Sequence, residues 1–176
     1  MLFKGRIEIQ AVASLFFFKK KGIVQKLMHA LKYRGREEIG IYFGRILGRE
    51  MGESRRFQSV DLVIPVPLHP RKKRTRGYNQ VSGFGRSLAE TLGVEYREGI
   101  LTRMTHGRSQ TGKDRLSRNL ILMNSFKLNE FNKLRNKHIL IVDDIITSGS
   151  TLEACARLIQ EVPGTRVSLA SLSFTL

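Results

Sequence analysis

The chain has 176 residues, 41% of them apolar, and a formal charge of +16, which fits one folded domain over residues 1–176 and excludes a disordered polyelectrolyte. A single cysteine, Cys155, excludes an internal disulfide. The longest apolar run near the N-terminus, Leu15 to Phe18, ends in three lysines and falls far short of the roughly 20 residues that span a bilayer, so no membrane partner and a cytoplasmic location are expected.

Taken in chain order, Ile7 to Phe18 is β-branched and aromatic and reads as one or two strands, with Phe16, Phe17 and Phe18 as sheet core. Ile23, Leu27 and Leu31 then fall on one helical stripe. A second helix is expected from Glu37 to about Met51, with Ile39, Phe43, Ile46 and Leu47 on its apolar face. Val60 to Val66 is a short, nearly continuous apolar run that suits a strand buried on both faces. Pro65, Pro67 and Pro70 end it in an extended exit. A helix from Asn79 to Leu92 follows, stopped by Gly93. Gly83-Phe84-Gly85 lies inside this helical pattern and lacks a third glycine, so helix packing accounts for it better than a dinucleotide fingerprint.

Ile100 to Arg103 and Ser125 to Leu128 read as short strands around Thr105 to Asn119, a polar, basic stretch without periodicity, the kind of long loop that is usually functional or disordered. His138 to Val142 is a buried strand, Thr151 to Val162 a helix with Cys155 on its apolar face, and Val167 to Phe174 the last strand. Strands alternating with helices predict an α/β fold with a mainly parallel central sheet flanked by helices.

The charge is concentrated. Arg71 to Arg118 holds twelve basic residues against four acidic ones, a net of +8 and half of the chain's excess. Such a field attracts polyanions, either nucleic acid or a small polyphosphate. A Walker A sequence is absent, and His29, His69, His106 and His138 show no metal-ligand spacing, so no metal is expected to be held by direct protein ligation.

The sharpest local feature runs from Ile139 to Thr151, ILIVDDIITSGST. Apolar residues lead into Asp143 and Asp144, then a small-residue turn, then a helix. In open α/β sheets ligands bind at the carboxyl ends of strands. Gly149 permits close approach of the backbone, while Thr147, Ser148, Ser150 and Thr151 add hydroxyl donors to the N-terminus of the following helix; together they suit a phosphate. The carboxylates would repel that phosphate but would accept hydrogen bonds from a ribose diol and favour Mg²⁺, a hard cation that prefers oxygen. A sugar with its 5′-phosphate at the turn and its diol at Asp143 and Asp144 satisfies both halves.

This string resembles the phosphoribosyl diphosphate motif of type I phosphoribosyltransferases. Pro65-Val66-Pro67-Leu68-His69-Pro70-Arg71, Arg76-Gly77-Tyr78-Asn79-Gln80, His29 to Gly35, Gln110-Thr111-Gly112 and Arg118-Asn119 are similar to the competence-related ComF family. The likeness runs from about Ile23 to the C-terminus. It departs from the family in one respect: no C-x-x-C is present, so the N-terminal zinc ribbon many members carry, and zinc by that route, are excluded for this sequence.

The resemblance implies the type I phosphoribosyltransferase fold with a small N-terminal hood. It implies a site for 5-phosphoribosyl diphosphate and Mg²⁺: Asp143 and Asp144, the catalytic candidates, on the ribose hydroxyls, and residues 147–151 on the 5′-phosphate. Leu68, His69, Arg71 and Arg76 would meet the diphosphate. Thr105 to Asn119, with Arg103 at its approach and Arg108 and Lys113 within it, would be a mobile loop closing over the site. Three readings stay open: transfer of phosphoribose to a nitrogen nucleophile with diphosphate release, a non-catalytic ligand sensor or DNA-uptake accessory working with a competence helicase, and a binder of single-stranded DNA through Arg71 to Arg76. Homodimerisation is the expected assembly.

Overall fold

The computed structural model describes residues 2–3, 5–104 and 124–175. Its elements are β1 (Val12–Phe17), α1 (Ile23–Tyr33), α2 (Glu37–Glu53), β2 (Leu62–Pro65), α3 (Pro70–Arg76), α4 (Ser82–Leu92), β3 (Glu95–Tyr96), β4 (Leu101–Arg103), β5 (Phe126–Leu128), a 3₁₀ turn (Phe131–Leu134), β6 (His138–Ile146), α5 (Ser150–Gln160) and β7 (Arg166–Phe174). Five strands form one sheet in the order β1-β7-β6-β2-β3, and every neighbouring pair in it is parallel. The expected α/β fold with a mainly parallel sheet is borne out. β4 and β5 pair with each other as a separate antiparallel ribbon.

Period-two alternation divides the apolar side chains of β6 between two cores. Ile139 and Ile141 pack with Leu152, Cys155 and Ile159 of α5. Leu140 and Val142 pack with Leu31, Leu47, Phe84 and Leu88 of α1, α2 and α4. Cys155 is fully buried as expected, and burial pushes its thiol up. His138, at the start of β6, is buried between the hydroxyls of Ser59 and Ser168, at 2.9 and 2.8 Å.

α2 and α4 meet along a seam of glycines. Gly40, Gly44 and Gly48 recur every fourth residue and are buried. A Cβ on Gly44 would stand 2.6 Å from the Phe84 carbonyl oxygen, and one on Gly48 2.7 Å from Thr91 Cβ. Gly83 answers from α4, where a Cβ would lie 3.3 Å from Ile41 Cγ1, while Gly85 faces the sheet, where a Cβ would meet the Tyr96 ring at 2.7 Å and Val142 at 3.0 Å. Packing of α4 against α2 and the sheet therefore explains the Gly83-Phe84-Gly85 string.

Several boundaries differ from expectation. β6 runs four residues beyond Val142, because β7 offers it partners as far as Ile146↔Phe174. The exit from β2 becomes α3 at Pro70, since His69 Nδ1 accepts the Arg71 N–H at 3.2 Å, proline suits the first helical position, and Gly77 closes the helix at φ 81°. Residues 7–11 form no strand, and β1 starts at Val12. Phe17 is not core but 71% exposed, because β1 is an edge strand. The N-terminal stretch instead lies at the end of β6, where Phe3 is buried with Leu2 packed beside it.

Candidate functional site

The carboxyl end of β6 carries Asp143 and Asp144 inside the strand, so their side chains leave on opposite faces. Asp144 turns toward α1 and α4. Lys32 Nζ of α1 is 2.9 Å from Asp144 Oδ2, and Gln80 Nε2 donates to the same oxygen at 2.9 Å. The Asp144 side chain is only 5% exposed. Among the described residues nothing bonds its Oδ1. Asp143 goes the other way, toward α5, and its Oδ1 accepts the Asp144 N–H at 2.8 Å. Burial, and then the charge of Asp144, raise the Asp143 carboxyl to about 8, against weaker opposition from the Asp144 N–H bond and then from Lys32 and Arg103.

The next turn builds a different environment. Thr147 and Ser148 are exposed, Ser150 and Thr151 half-buried. Gly149 is the N-cap of α5 at φ 73° and has no side chain to cap the helix, although Ser148 Oγ accepts the Ser150 N–H at 3.5 Å. The start of the helix thus presents backbone N–H groups, one of them only loosely bonded, toward an outside acceptor. Gly149 is also held from outside: a Cβ there would lie 2.7 Å from the Phe3 ring and 2.8 Å from Leu2.

Asp143, Asp144 and Thr151 line one cleft of about 160 Å³ with Leu68, Lys72, Arg76 and Arg103. Six of the sequence-predicted residues thus come together from the ends of β2 and β6, from α3 and α5, and from β4. A larger cleft of about 380 Å³ adjoins it, sharing Leu68, Asn79 and Arg103 and adding Lys73 and Arg74. His69 and Arg71 line neither cleft; His69 is occupied as the cap of α3. Arg108, Lys113 and the stretch Thr105 to Asn119 lie outside the described residues.

A belt of contacts closes behind the acids. Arg76 donates to Gln80 Oε1 at 2.7 Å, and its guanidinium lies 4.9 Å from the centre of the Tyr33 ring. The Tyr78 hydroxyl donates to the Leu31 carbonyl. Asn79 Nδ2 donates to the Val66 carbonyl at 3.0 Å, pinning the loop after β2. Lys32 and Gln80 are the site residues that sequence reasoning left without a role. Both lie within strings similar to the ComF family, and that similarity was the one signal available for them.

The phosphoribosyl transferase domain model matches residues 82–174, more than half of the chain. The chain belongs to the phosphoribosyl transferase domain family. This phosphoribosyl transferase domain is 33% identical over 136 residues to DNA utilization protein YhgH of Salmonella typhimurium, covering 76% of this chain and 59% of that protein. It is 29% identical over 140 residues to Competence protein F of Haemophilus influenzae, covering 77% and 61% respectively. The chain thus spans about three fifths of the length of these curated relatives, and the ComF resemblance is borne out. Among solved structures, glutamine phosphoribosylpyrophosphate amidotransferase from B. subtilis, complexed with ADP and GMP, superposes with a TM-score of 0.53 at 18% identity, over 81% of this chain and 30% of that one. That likeness shows the shared type I phosphoribosyltransferase fold. No described helix of this domain is long and apolar enough to cross a membrane.

Proposed function

We propose that the chain binds 5-phosphoribosyl diphosphate with Mg²⁺ at the end of β6 and transfers the phosphoribosyl group to a nitrogen nucleophile, releasing diphosphate. The reading rests on one observation: a single cleft joins two carboxylates and Thr151, in the first turn of α5, to Lys72, Arg76 and Arg103. The 5′-phosphate would take N–H groups and hydroxyls of residues 147–151. Lys32 and Gln80 both meet Oδ2 of Asp144, which leaves Oδ1 for a ribose hydroxyl. Asp143 would hold the other hydroxyl.

In the transfer, the C1–O bond to diphosphate breaks and a C1–N bond forms, with the nucleophile's proton lost to solvent. The ribose gains positive charge as diphosphate gains negative charge. Asp143 and Asp144 favour the former; Lys72, Arg76 and Arg103 favour the latter. Oxygen donors at a half-buried carboxyl suit Mg²⁺. Among the described residues no three His, Cys, Asp or Glu converge to hold a metal unaided, so Mg²⁺ would sit on the ligand's own oxygens with Asp143 and Asp144 behind it, and would supply charge neutralisation for the leaving diphosphate.

Calorimetry with 5-phosphoribosyl diphosphate and Mg²⁺ tests the site. Binding is expected for the wild type and lost when Asp143→Asn and Asp144→Asn are combined; equal binding by that variant would refute the assignment. Diphosphate release across a panel of bases and amines then tests transfer.

A second reading has its own support. α3 presents Arg71, Lys72, Lys73 and Arg74 at the surface, and relatives carry the names DNA utilization protein and Competence protein F. A DNA-uptake accessory would bind single-stranded DNA with strong salt dependence, and neutralising Lys72, Lys73 and Arg74 would abolish it. DNA binding unchanged in that variant would remove α3 from consideration.

A further inference from the structure

The start of α5 carries an obstacle to its own anion site. Glu153 lies in the first turn of the helix, where a carboxylate competes with an incoming phosphate for the same helix end. Its side chain is only 13% exposed, so water screens it poorly. The opposing charge comes from elsewhere in the chain. Arg6, in the stretch before β1, pairs its Nη2 with Glu153 Oε2. Arg157, one turn further along α5, takes the other oxygen, Oε1, at 3.0 Å.

Arg6 does more than neutralise. Its Nη1 donates to the Ser148 carbonyl at 3.3 Å, inside the phosphate turn, and to the Leu2 carbonyl at 3.4 Å. The stretch is latched at two further points: Arg157 Nη2 donates to the Arg6 carbonyl at 2.5 Å, and Gln160 donates to the Glu8 carbonyl. Phe3, 4% exposed, packs its ring where a Cβ of Gly149 would otherwise be. One segment thus occupies the carbonyl side of the turn, fills the space beside its glycine and cancels the charge behind it.

We infer that Leu2, Phe3 and the residues from Gly5 to Glu8 form a strap that sets the phosphate turn, with Arg6 as its positioning residue. By engaging the Ser148 carbonyl, Arg6 leaves the N–H side of the turn facing the ligand. By pairing with Glu153 it lets the helix end act as a positive site. This rests on the reading of residues 147–151 as a 5′-phosphate site. Among its described residues no hydrogen bond or ion pair joins the strap to the diphosphate cations of α3 or to the two acids, so its influence should fall on the phosphate monoester alone.

The test uses ribose 5-phosphate and inorganic diphosphate as separate probes, titrated by calorimetry into the full chain. Arg6→Ala is expected to weaken ribose 5-phosphate by about five-fold or more, from the usual strength of a charge at a helix end. Diphosphate affinity is expected to stay the same. Adding Glu153→Gln to Arg6→Ala should restore most of the lost affinity, because the repelling charge is gone. Arg6→Lys, which keeps the cation and serves if the alanine variant fails to fold, should stay nearer to wild type than Arg6→Gln, which removes it. If the wild type binds ribose 5-phosphate and Arg6→Ala binds it equally well, the strap has no such role. Equal weakening of both probes, or no recovery with Glu153→Gln, would likewise overturn it. A wild type that binds no ribose 5-phosphate would sink the phosphate site itself.

Discussion

Replacing Lys32 by methionine keeps most of the apolar stem and removes the ammonium that stands 2.9 Å from Asp144 Oδ2. The Asp144 side chain is 5% exposed, so water has little room to take the place of the lost partner. The amide of Gln80 remains, at 2.9 Å. Removing one member of a buried pair costs about 3–5 kcal/mol, since the surviving charge is left uncompensated. Lys32 is itself 23% exposed, and one hydrogen bond is kept, which lowers the expected loss to about 2–3 kcal/mol. For a chain of this size that is a fall of about 5–10 °C in Tm. Asp144→Asn should cost less, about 1 kcal/mol, because the abandoned lysine can turn toward water while the abandoned carboxylate cannot. Combining the two should recover a good part of the Lys32→Met loss, giving a coupling of about 1–2 kcal/mol in a double-mutant cycle. Urea unfolding and thermal melting at neutral pH read both quantities. If Lys32→Met melts with the wild type, or costs less than Asp144→Asn, Lys32 is not the cation that makes the buried acid tolerable.

Asp143 carries a pH signature. Its carboxyl is raised in the fold by burial and by Asp144, so it favours the native state while protonated and opposes it as pH rises from the ordinary carboxylate range toward 8. Asp143→Asn should therefore gain stability over the wild type as pH rises across that window and match it near pH 4, as measured by urea unfolding at a series of pH values. Binding of 5-phosphoribosyl diphosphate with Mg²⁺ should strengthen over the same window, since the proton must leave before the cation approaches. Gly149→Ala meets both φ 73° and the Phe3 ring; it should cost about 2 kcal/mol or more and abolish ribose 5-phosphate binding, as checked by melting and calorimetry. In α2, Gly44→Ala should destabilise by about 1–3 kcal/mol as its Cβ drives into the Phe84 carbonyl. Gly52→Ala, with nothing nearer than Leu92 at 4.0 Å, should stabilise by about 0.5–1 kcal/mol, and parallel melts separate the two.

The sheet could be read from the chain because β6 and β7 are buried on both faces and advertise it as apolar runs. α5 was readable because Leu152, Cys155 and Ile159 share a face. α3 could not be found that way: none of its residues is buried, so no apolar period marks it, and its local signals are a capping histidine and a proline that equally suit an extended exit. β3, two residues long, exists only because β2 offers a parallel edge. The end of β6 was missed for a related reason, since its last four residues mix acids with isoleucine and are held by pairing with β7. In the site, the acids and the phosphate turn are contiguous and so were visible as a string. Lys32 and Gln80 reach Asp144 from 112 and 64 positions away in the sequence, and only the folded arrangement of α1 and α4 brings them there. Arg6 lies just before the stretch read as strand, and its contact with Ser148 spans 142 residues.

The glycines of α2 bear on how the chain acquires its shape. Each one weakens an isolated helix by about 1 kcal/mol relative to alanine, so α2 has little reason to form until α4 is there to fill its groove. α4 is short and begins without a side-chain cap. The two should behave as one cooperative unit, opening and closing together in hydrogen exchange and entering the folding transition state as a pair rather than as separate helices. Because α4 also adjoins Gln80, that unit sets when the pocket for the acid is completed. Assembly of the candidate site would then be tied in time to a seam on the opposite side of the sheet from α5.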